Sequence, residues 1–177
     1  KRPIPKYPSK IVVITALKAA ALQDFLNVIK RRSLWSEVVI VPAVVQGDAS
    51  AASLREAYKK AQAVTSVDVI VLTRGGGAME DLWSFNDEGL VRDIFNSEIP
   101  TINAVGHQVD YTLCDYVADL RCETPTAAAE ILSQAQTELK QENFDFIVDL
   151  HRNLRTLRLR FMLNKKTYQF PKVNVRK

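Results

Sequence analysis

Short runs of apolar residues alternate along the chain with segments in which apolar positions recur at a helical period. Four runs have the length and the β-branched composition of buried strands: IVVIT (11–15), EVVIVPAVV (37–45), VDVIVLT (67–73) and IPTINAV (99–105). The three segments between them have a helical pattern: 20–32, 49–64 and 86–97. This alternation predicts βαβ units, and therefore an α/β fold with a mostly parallel, Rossmann-like open sheet and flanking helices.

Two residues add detail to these elements. Pro42 cannot donate a hydrogen bond to a neighbouring strand, so we expect the second strand at the edge of the sheet or with a bulge. Asn86 is predicted to cap the third helix, because acidic residues follow it in the first turn. The pattern leaves the order of the strands open.

The pattern changes after Thr124 and Pro125, which are typical of an N-cap and a first helical residue. Residues 126–162 contain neither Pro nor Gly, and apolar residues recur there at heptad-like spacing: Leu132, Leu139, Phe146, Leu150, Leu154, Leu157 and Phe161. We therefore expect one long, coiled-coil-type helix over 125–168, whose apolar stripe needs a partner.

The same patterns divide the chain into four parts. Residues 1–10 hold three prolines and four basic residues, a composition that suits a linker from a preceding domain. Residues 11–124 form the α/β domain, residues 125–168 the long helix, and residues 169–177 a basic C-terminal segment. We expect the chain to be a fragment at both ends.

Composition places the chain among ordinary soluble globular proteins, with 47% hydrophobic and 25% charged residues. No apolar run approaches the roughly 18 residues that span a bilayer, and no signal-peptide pattern occurs. Cys114 and Cys122 match no zinc or redox spacing, so we expect reduced, buried thiols. These features favour a cytoplasmic protein.

The net charge of +4 hides an uneven distribution. Residues 151–177 carry nine Lys or Arg and no acidic residue, so residues 1–150 hold 15 basic residues against all 20 acidic ones, a balance of −5. A basic end of this kind can follow a phosphate backbone. A solvated helix face is the alternative.

Polar residues and glycines follow all four predicted strands: Thr15 and, further on, Asp24; Gln46; Arg74 with Gly75, Gly76 and Gly77; and His107 with Asp110. In an open parallel sheet, ligands bind beyond the carboxyl ends of the strands. Segments that are distant in sequence are therefore expected to meet along one edge of the sheet, which makes these residues the candidate site.

The three consecutive glycines are half of the six in the chain. They match neither a Walker loop nor a dinucleotide-binding fingerprint. They could expose backbone N–H groups toward an anion, and Arg74 could add a planar donor for a phosphodiester oxygen. The alternative is a tight turn in which Arg74 pairs with Glu80 or Asp81.

His107 and Asp110 have the residue types of a general acid or base held in one tautomer by a carboxylate. A structural hydrogen bond is the alternative for His107. A metal site formed by these two residues has no second histidine or matching carboxylate spacing to support it. Asp87, Glu88, Asp115 and Asp119 are expected to cap helices or to pair with Arg92 and Arg121.

Two blocks of sequence resemble the large-subunit family of exonuclease VII. They are RGGGAMEDLWSFNDE and IPTINAVGHQVDYTLCDYVADLRCETPTAAAE, against family patterns of RGGGS-EDLW-FN-E and of GHE-x-D-x-T ending in ADLRA-TP-AAAE. VVQGDASAASL and PKYPSKIVVIT also fit. The resemblance covers residues 3 to about 135 without interruption.

This resemblance implies an exodeoxyribonuclease subunit that hydrolyses phosphodiester bonds of single-stranded DNA from strand ends. The positions that match the family's functional residues are Asp24, Arg74, His107 and Asp110. It also implies that no cofactor is required, with Mg²⁺ possible, and that small helical subunits bind along the long helix. Self-association is a further expectation, and an interaction with membranes is not expected.

The chain also departs from the family pattern. Ala16 and Ala19 stand where Ser and Gly are usual, Ala78 replaces a Ser, and Gln108 replaces a Glu. These changes bear on the catalytic efficiency of this chain and on its use of a metal ion. Two rival functions remain open from the sequence: a non-catalytic scaffold that holds single-stranded DNA, and an α/β enzyme that binds a nucleotide or sugar phosphate.

Overall fold

The computed structural model describes residues 1–33, 35–75, 79–105, 110–142, 145–149, 157, 160 and 163–169. In chain order its elements are β1 (Lys10–Thr15), α1 (Ala20–Arg32), β2 (Glu37–Pro42), α2 (Ser50–Ala63), β3 (Val69–Thr73), a 3₁₀ helix (Met79–Asn86), α3 (Glu88–Phe95), β4 (Thr101–Ala104), α4 (Leu113–Val117), β5 (Leu120–Arg121), α5 (Pro125–Gln141), β6 (Phe146–Asp149) and β7 (Lys166–Gln169).

The first five strands form one parallel sheet in the order β2-β1-β3-β4-β5. The chain moves outward from β1 to β2, crosses back over β1 to β3, and then continues outward in the other direction. The predicted open, mostly parallel α/β sheet is therefore confirmed. Strands β6 and β7 form a separate parallel pair.

Helices cover both faces of the sheet. Alternate side chains of β1 and β3 point to opposite faces: Val12, Ile14, Ile70 and Leu72 contribute to one core with α2 and α3, and Ile11, Val13, Val69 and Val71 to another with α1 and α5. Because both faces are covered, the central strands read as continuous apolar runs rather than as alternating ones.

The strands and first three helices lie close to their predicted positions, and α1 matches its predicted range. Pro42 is the last residue of β2, which is an edge strand as expected. The cap of α3 is a correction: Asp87, not Asn86, accepts a hydrogen bond from the amide of Leu90 at 2.8 Å. Asn86 Oδ1 instead accepts one from the amide of Leu113.

Five of the described elements were not predicted: the 3₁₀ helix, α4 and β5 in the α/β domain, and β6 and β7 in the range predicted as one long helix. Each is too short, or too tightly wound, to show a helical or strand period over several repeats. None of the helices in the described ranges is both long and apolar enough to cross a membrane.

Helix α5 begins as predicted, with Pro125 in its first turn and the Thr124 side chain accepting a hydrogen bond from the amide of Ala127. It ends at Gln141, however, and Phe146 lies in β6, so one continuous helix over 125–168 is wrong for this structure. The buried positions of α5 that the structure describes stop at Gln136.

The first nine residues contact the α/β domain although they form no regular element. Arg2 binds Asp119, whose side chain is 1% exposed, through its backbone N–H at 2.6 Å and its guanidinium at 2.9 Å. The Asp119 carboxylate also accepts a hydrogen bond from the amide of Thr101 at the start of β4. Burial by itself would raise the pKa of Asp119, but the bonds from Arg2 and Thr101 outweigh it and hold that pKa below its usual value.

We predict that Asp119→Asn lowers the free energy of unfolding by about 1–3 kcal/mol, because buried donors lose a charged acceptor. The folded-state pKa is lowered, so the contribution of Asp119 is present above its unfolded pKa and is lost as the pH falls below about 4. Urea denaturation at several pH values measures both effects. Glu56→Gln, at the exposed pair with Lys60, is the matched control and should leave stability nearly unchanged at neutral pH.

Both cysteines are buried and unpaired, as the sequence predicts. Burial raises the pKa of the Cys122 thiol to about 11, although nearby Arg121 lowers it in part. Burial and the charges of Asp115 and Asp87 raise the pKa of Cys114 still further. We predict that iodoacetamide at pH 8 alkylates both thiols far more slowly in the folded than in the urea-unfolded protein. Peptide mapping measures this, and equal rates in both states would contradict it.

Candidate functional site

The sheet changes direction between β1 and β3, and this switch point organises the candidate site. The last paired residues of the two strands are Ile14 and Leu72, so Thr15 and Thr73 lie side by side at their carboxyl ends. The chain leaves the two strands toward opposite sides of the sheet. In open α/β sheets this divergence opens a crevice in which ligands bind.

A cavity of about 750 Å³ lies at this end of the sheet. It is lined by the β1–α1 connection, by the segment that follows β2, and by Arg74 and Gly75 after β3. Three residues selected from the sequence, Gln46, Arg74 and Gly75, therefore share one cavity. Its volume is in the usual range for small-ligand sites.

The first turn of α1 lies against Gly75. An added Cβ at Gly75 would lie 3.7 Å from Ala21 Cβ and 3.9 Å from the Ala21 amide nitrogen, so the two backbones approach each other closely. Ala19 is the N-cap of α1, and it makes no side-chain hydrogen bond to the amides of the first turn. The partial positive charge at this end and the guanidinium of Arg74, which is only 4% exposed, both favour an anionic group.

Thr15 and Thr73 end β1 and β3, and each directly precedes a residue that lines the cavity, Ala16 and Arg74. Both threonines are at most 1% exposed, and neither hydroxyl has a hydrogen-bond partner among the described residues. Thr15 was expected here, but Thr73 was missed. The signal was available, since both predicted strands end in a threonine that directly precedes the candidate loop.

A second group of polar residues holds the chain after β4. The Asp115 carboxylate accepts hydrogen bonds from the amide and hydroxyl of Thr112, at 2.8 and 2.9 Å, and from Asn103 Nδ2 at 2.8 Å. All three residues are buried. Asp115 therefore joins the end of β4 to the beginning of α4, and it fixes the segment that contains Asp110.

Arg121 holds the same segment from β5. Its guanidinium lies 3.5 Å from Asp115 Oδ1, donates a 3.4 Å hydrogen bond to the carbonyl oxygen of Asp110, and lies 4.0 Å from the ring centroid of Tyr111. The expected pairing of Asp115 with Arg121 is confirmed, whereas Asp119 pairs with Arg2.

The other predicted site residues lie in different surroundings. Asp110 lies beyond β4, the neighbour of β3, and so follows the next strand along from Arg74. Asp24 is exposed on the second turn of α1, outside the lining of the cavity. His107, Gly76 and Gly77 lie outside the described residues. Within the described ranges, no group of three or more His, Cys, Asp or Glu side chains could hold a metal ion.

The fold and the crevice define the class of protein: an open α/β domain with a cavity, lined in part by Arg74 and Gly75, at its switch point. The model of the exonuclease VII large subunit family matches residues 1–174. The chain belongs to the exonuclease VII large subunit family, as its sequence blocks predicted.

Individual relatives agree with this assignment. The chain is 53% identical over 134 residues to the exodeoxyribonuclease 7 large subunit of Shewanella pealeana. The aligned residues make up 76% of this chain and 30% of that protein. It is 46% identical to the Shewanella sediminis subunit, over 97% of this chain and 40% of that protein. The Clostridioides difficile subunit is 48% identical, over 78% of this chain and 35% of that protein. The chain thus spans about a third of the length of the curated relatives it matches.

Among solved structures, the S. aureus MnaA–UDP co-structure is similar with a TM-score of 0.42 and 11% sequence identity. The alignment covers 93% of this chain and 64% of that chain. Because this similarity is low, we interpret the candidate site from the residues of this chain and from its family.

The contacts of Asp115 generate a prediction about the segment that they fix. Asp115→Asn replaces a buried charged acceptor with an amide that cannot accept from all of its present donors. We predict a loss of about 1–3 kcal/mol in the free energy of unfolding, measured by urea denaturation. Glu123→Gln, at an exposed position beyond β5, is the control. A variant with unchanged stability would show that these bonds contribute little.

Proposed function

We propose that this chain is part of an exodeoxyribonuclease that hydrolyses phosphodiester bonds of single-stranded DNA to short oligonucleotides, and that the crevice at the switch point binds the scissile phosphate. The observation that carries this proposal is the meeting of Arg74, Gly75 and the first turn of α1 at one cavity, in a chain of this family. The names of the relatives support the reaction class.

The role of Arg74 follows from its burial. A guanidinium that is 4% exposed acts through a less polar medium than a surface one, so its attraction for a phosphate is screened less by water. It would stabilise the charge that builds on the phosphoryl oxygens during attack, together with backbone N–H groups of Gly75, Gly76 and Gly77. Thr15 and Gln46 are proposed as further contacts to the DNA.

His107 is proposed as the group that moves the proton. It would give a proton to the leaving oxygen or take one from the attacking water, and Asp110 would orient its ring. Two hydrogen bonds hold the backbone at and just after Asp110: Arg121 donates to the Asp110 carbonyl oxygen, and the Thr112 amide donates to Asp115. They support a fixed position for Asp110. Asp24 is proposed to position the water, which requires the substrate to extend along α1 from the cavity.

The reaction proposed here requires no cofactor, because a guanidinium, an imidazole and carboxylates can supply the charge and the proton transfer. Mg²⁺ remains a proposed accessory, held by carboxylates and the substrate phosphate. The proposed partners are single-stranded DNA, a small helical subunit that binds the region after α5, and further copies of the large subunit. The cytoplasm is the proposed compartment.

The test uses the full-length large subunit with its small subunit and end-labelled single strands, with and without a chelator. We predict that His107→Ala lowers the cleavage rate at least ~100-fold, the lower range for general acid–base catalysis. Arg74→Lys should also lower the rate strongly, because an ammonium cannot reproduce the planar donor pair. Product length by gel electrophoresis gives the rate.

Arg92→Lys is the matched control, since Arg92 lies exposed on α3 and pairs with Glu88. This variant should cleave at the normal rate. Near-normal cleavage by His107→Ala would refute its role. If the unaltered complex bound DNA and released no oligonucleotides, the non-catalytic scaffold would be the better account. Tight binding of a mononucleotide with no effect on oligonucleotides would favour the nucleotide-binding enzyme.

A further inference from the structure

Two aromatic rings lie exposed directly beside the segment that holds Asp110. Tyr111 is 58% exposed and Tyr116 67% exposed, with ring centroids 6.1 Å apart and planes tilted by 34°. Leu113, which lies between them in sequence, is also exposed. Exposed aromatic rings are costly to leave in water, so a paired arrangement of this kind needs an explanation.

The position of the Tyr111 ring is fixed from beneath. The Arg121 guanidinium lies 4.0 Å from its centroid and is itself held by Asp115, which is buried. The ring is thus supported on one face by a cation while more than half of the residue stays in contact with solvent. Because its position is set before any ligand arrives, little conformational freedom would be lost on binding.

We propose that Tyr111 and Tyr116 form a stacking platform for the nucleobases of a single strand whose phosphate lies in the adjacent crevice. This proposal rests on the proposed function and identifies what selects the strandedness of the substrate. An unpaired base can leave its neighbours and stack on an isolated ring, whereas a base in a duplex has both faces covered. Stacking tolerates any base, which suits an enzyme that degrades a strand of arbitrary sequence.

The chemistry of the surface favours DNA over a protein partner. The rings are tyrosines with polar tips, a guanidinium lies under one of them, and the neighbouring residue Asp110 belongs to the proposed site. The strand that leads to this segment, β4, is hydrogen-bonded to β3, which leads to Arg74. Adjacent strands are about 4.8 Å apart, so bases on the platform could belong to the strand whose phosphate contacts Arg74.

The test uses the full-length large subunit with its small subunit. Single strands carrying 5-iodouracil are bound and irradiated, and the adducts are located by mass spectrometry. In parallel, fluorescence anisotropy gives the affinity for an ordinary oligonucleotide and for one with consecutive abasic positions. Tyr111→Ala and Tyr116→Ala remove a ring each, Tyr111→Phe keeps the ring, and Phe95→Ala removes an exposed aromatic from the far end of α3.

We expect adducts on Tyr111 or Tyr116 and none on Phe95. Each alanine variant should bind the ordinary strand about fivefold or more weakly, as expected for the loss of one stacked base. Tyr111→Phe and Phe95→Ala should bind normally. The dependence of affinity on salt should stay the same in all variants, because no phosphate contact is removed.

If the alanine variants lost as much affinity for the abasic strand as for the ordinary strand, the proposal would be overturned. Adducts confined to residues other than Tyr111 and Tyr116 would also overturn it. If the alanine variants instead failed to assemble with the small subunit and bound DNA normally alone, the surface would belong to that partner. The outcome is separate from that of the proposed function: a complex that shows the stacking effect but does not cleave would keep the platform and lose the nuclease.

Discussion

The arrangement of the site depends on one constraint, the reversal of strand order between β1 and β3. A parallel strand connection crosses over the sheet with a fixed hand, so successive connections in one direction lie on one face and those in the other direction on the opposite face. At the reversal the loops after β1 and β3 must separate. The crevice is therefore a consequence of topology, and the chain needed only to supply Arg74, the glycines and an uncapped first turn of α1 at that point.

The segment after β4 is held by a different means. No reversal opens a space there, because β4 and β5 continue in the same direction as β3. Instead, a buried carboxylate, Asp115, accepts three hydrogen bonds and lies 3.5 Å from Arg121, which reaches the backbone of Asp110. Burying a charge is expensive unless its bonding capacity is used, and these contacts use it. A polar network in the domain core thus sets the backbone position of a proposed catalytic residue at the surface.

The alternation of apolar runs and helical segments was sufficient to predict the sheet, its parallel strands and the edge position of β2. It was also sufficient to bring Gln46, Arg74 and Gly75 to one edge, because that step requires only the direction of the strands. The order of the strands depends on contacts between residues far apart in sequence, and no local period reports it. The cap at Asp87 and the Asp115–Arg121 pair are contacts between residues close in sequence, and the residue types there indicated both, although Asn86 was assigned as the cap of α3. The end of α5 at Gln141 was missed because the heptad pattern continues beyond it in the sequence. Among the described positions of α5, the buried ones stop at Gln136.

The cavity and the tyrosine pair lie on opposite sides of Arg74 along the edge of the sheet. The cavity extends from Arg74 toward the segments after β1 and β2, whereas Tyr111 and Tyr116 lie beyond β4, toward β5. A single strand that placed a phosphate at Arg74 would thus have a mostly apolar recess on one side and exposed rings on the other. Successive phosphates of an extended strand repeat at intervals comparable to the width of one or two strands of the sheet. The proposed single strand would therefore cross the carboxyl edge from β2 toward β5 at Arg74, and the role proposed for Asp24 requires its end in the cavity to turn along α1.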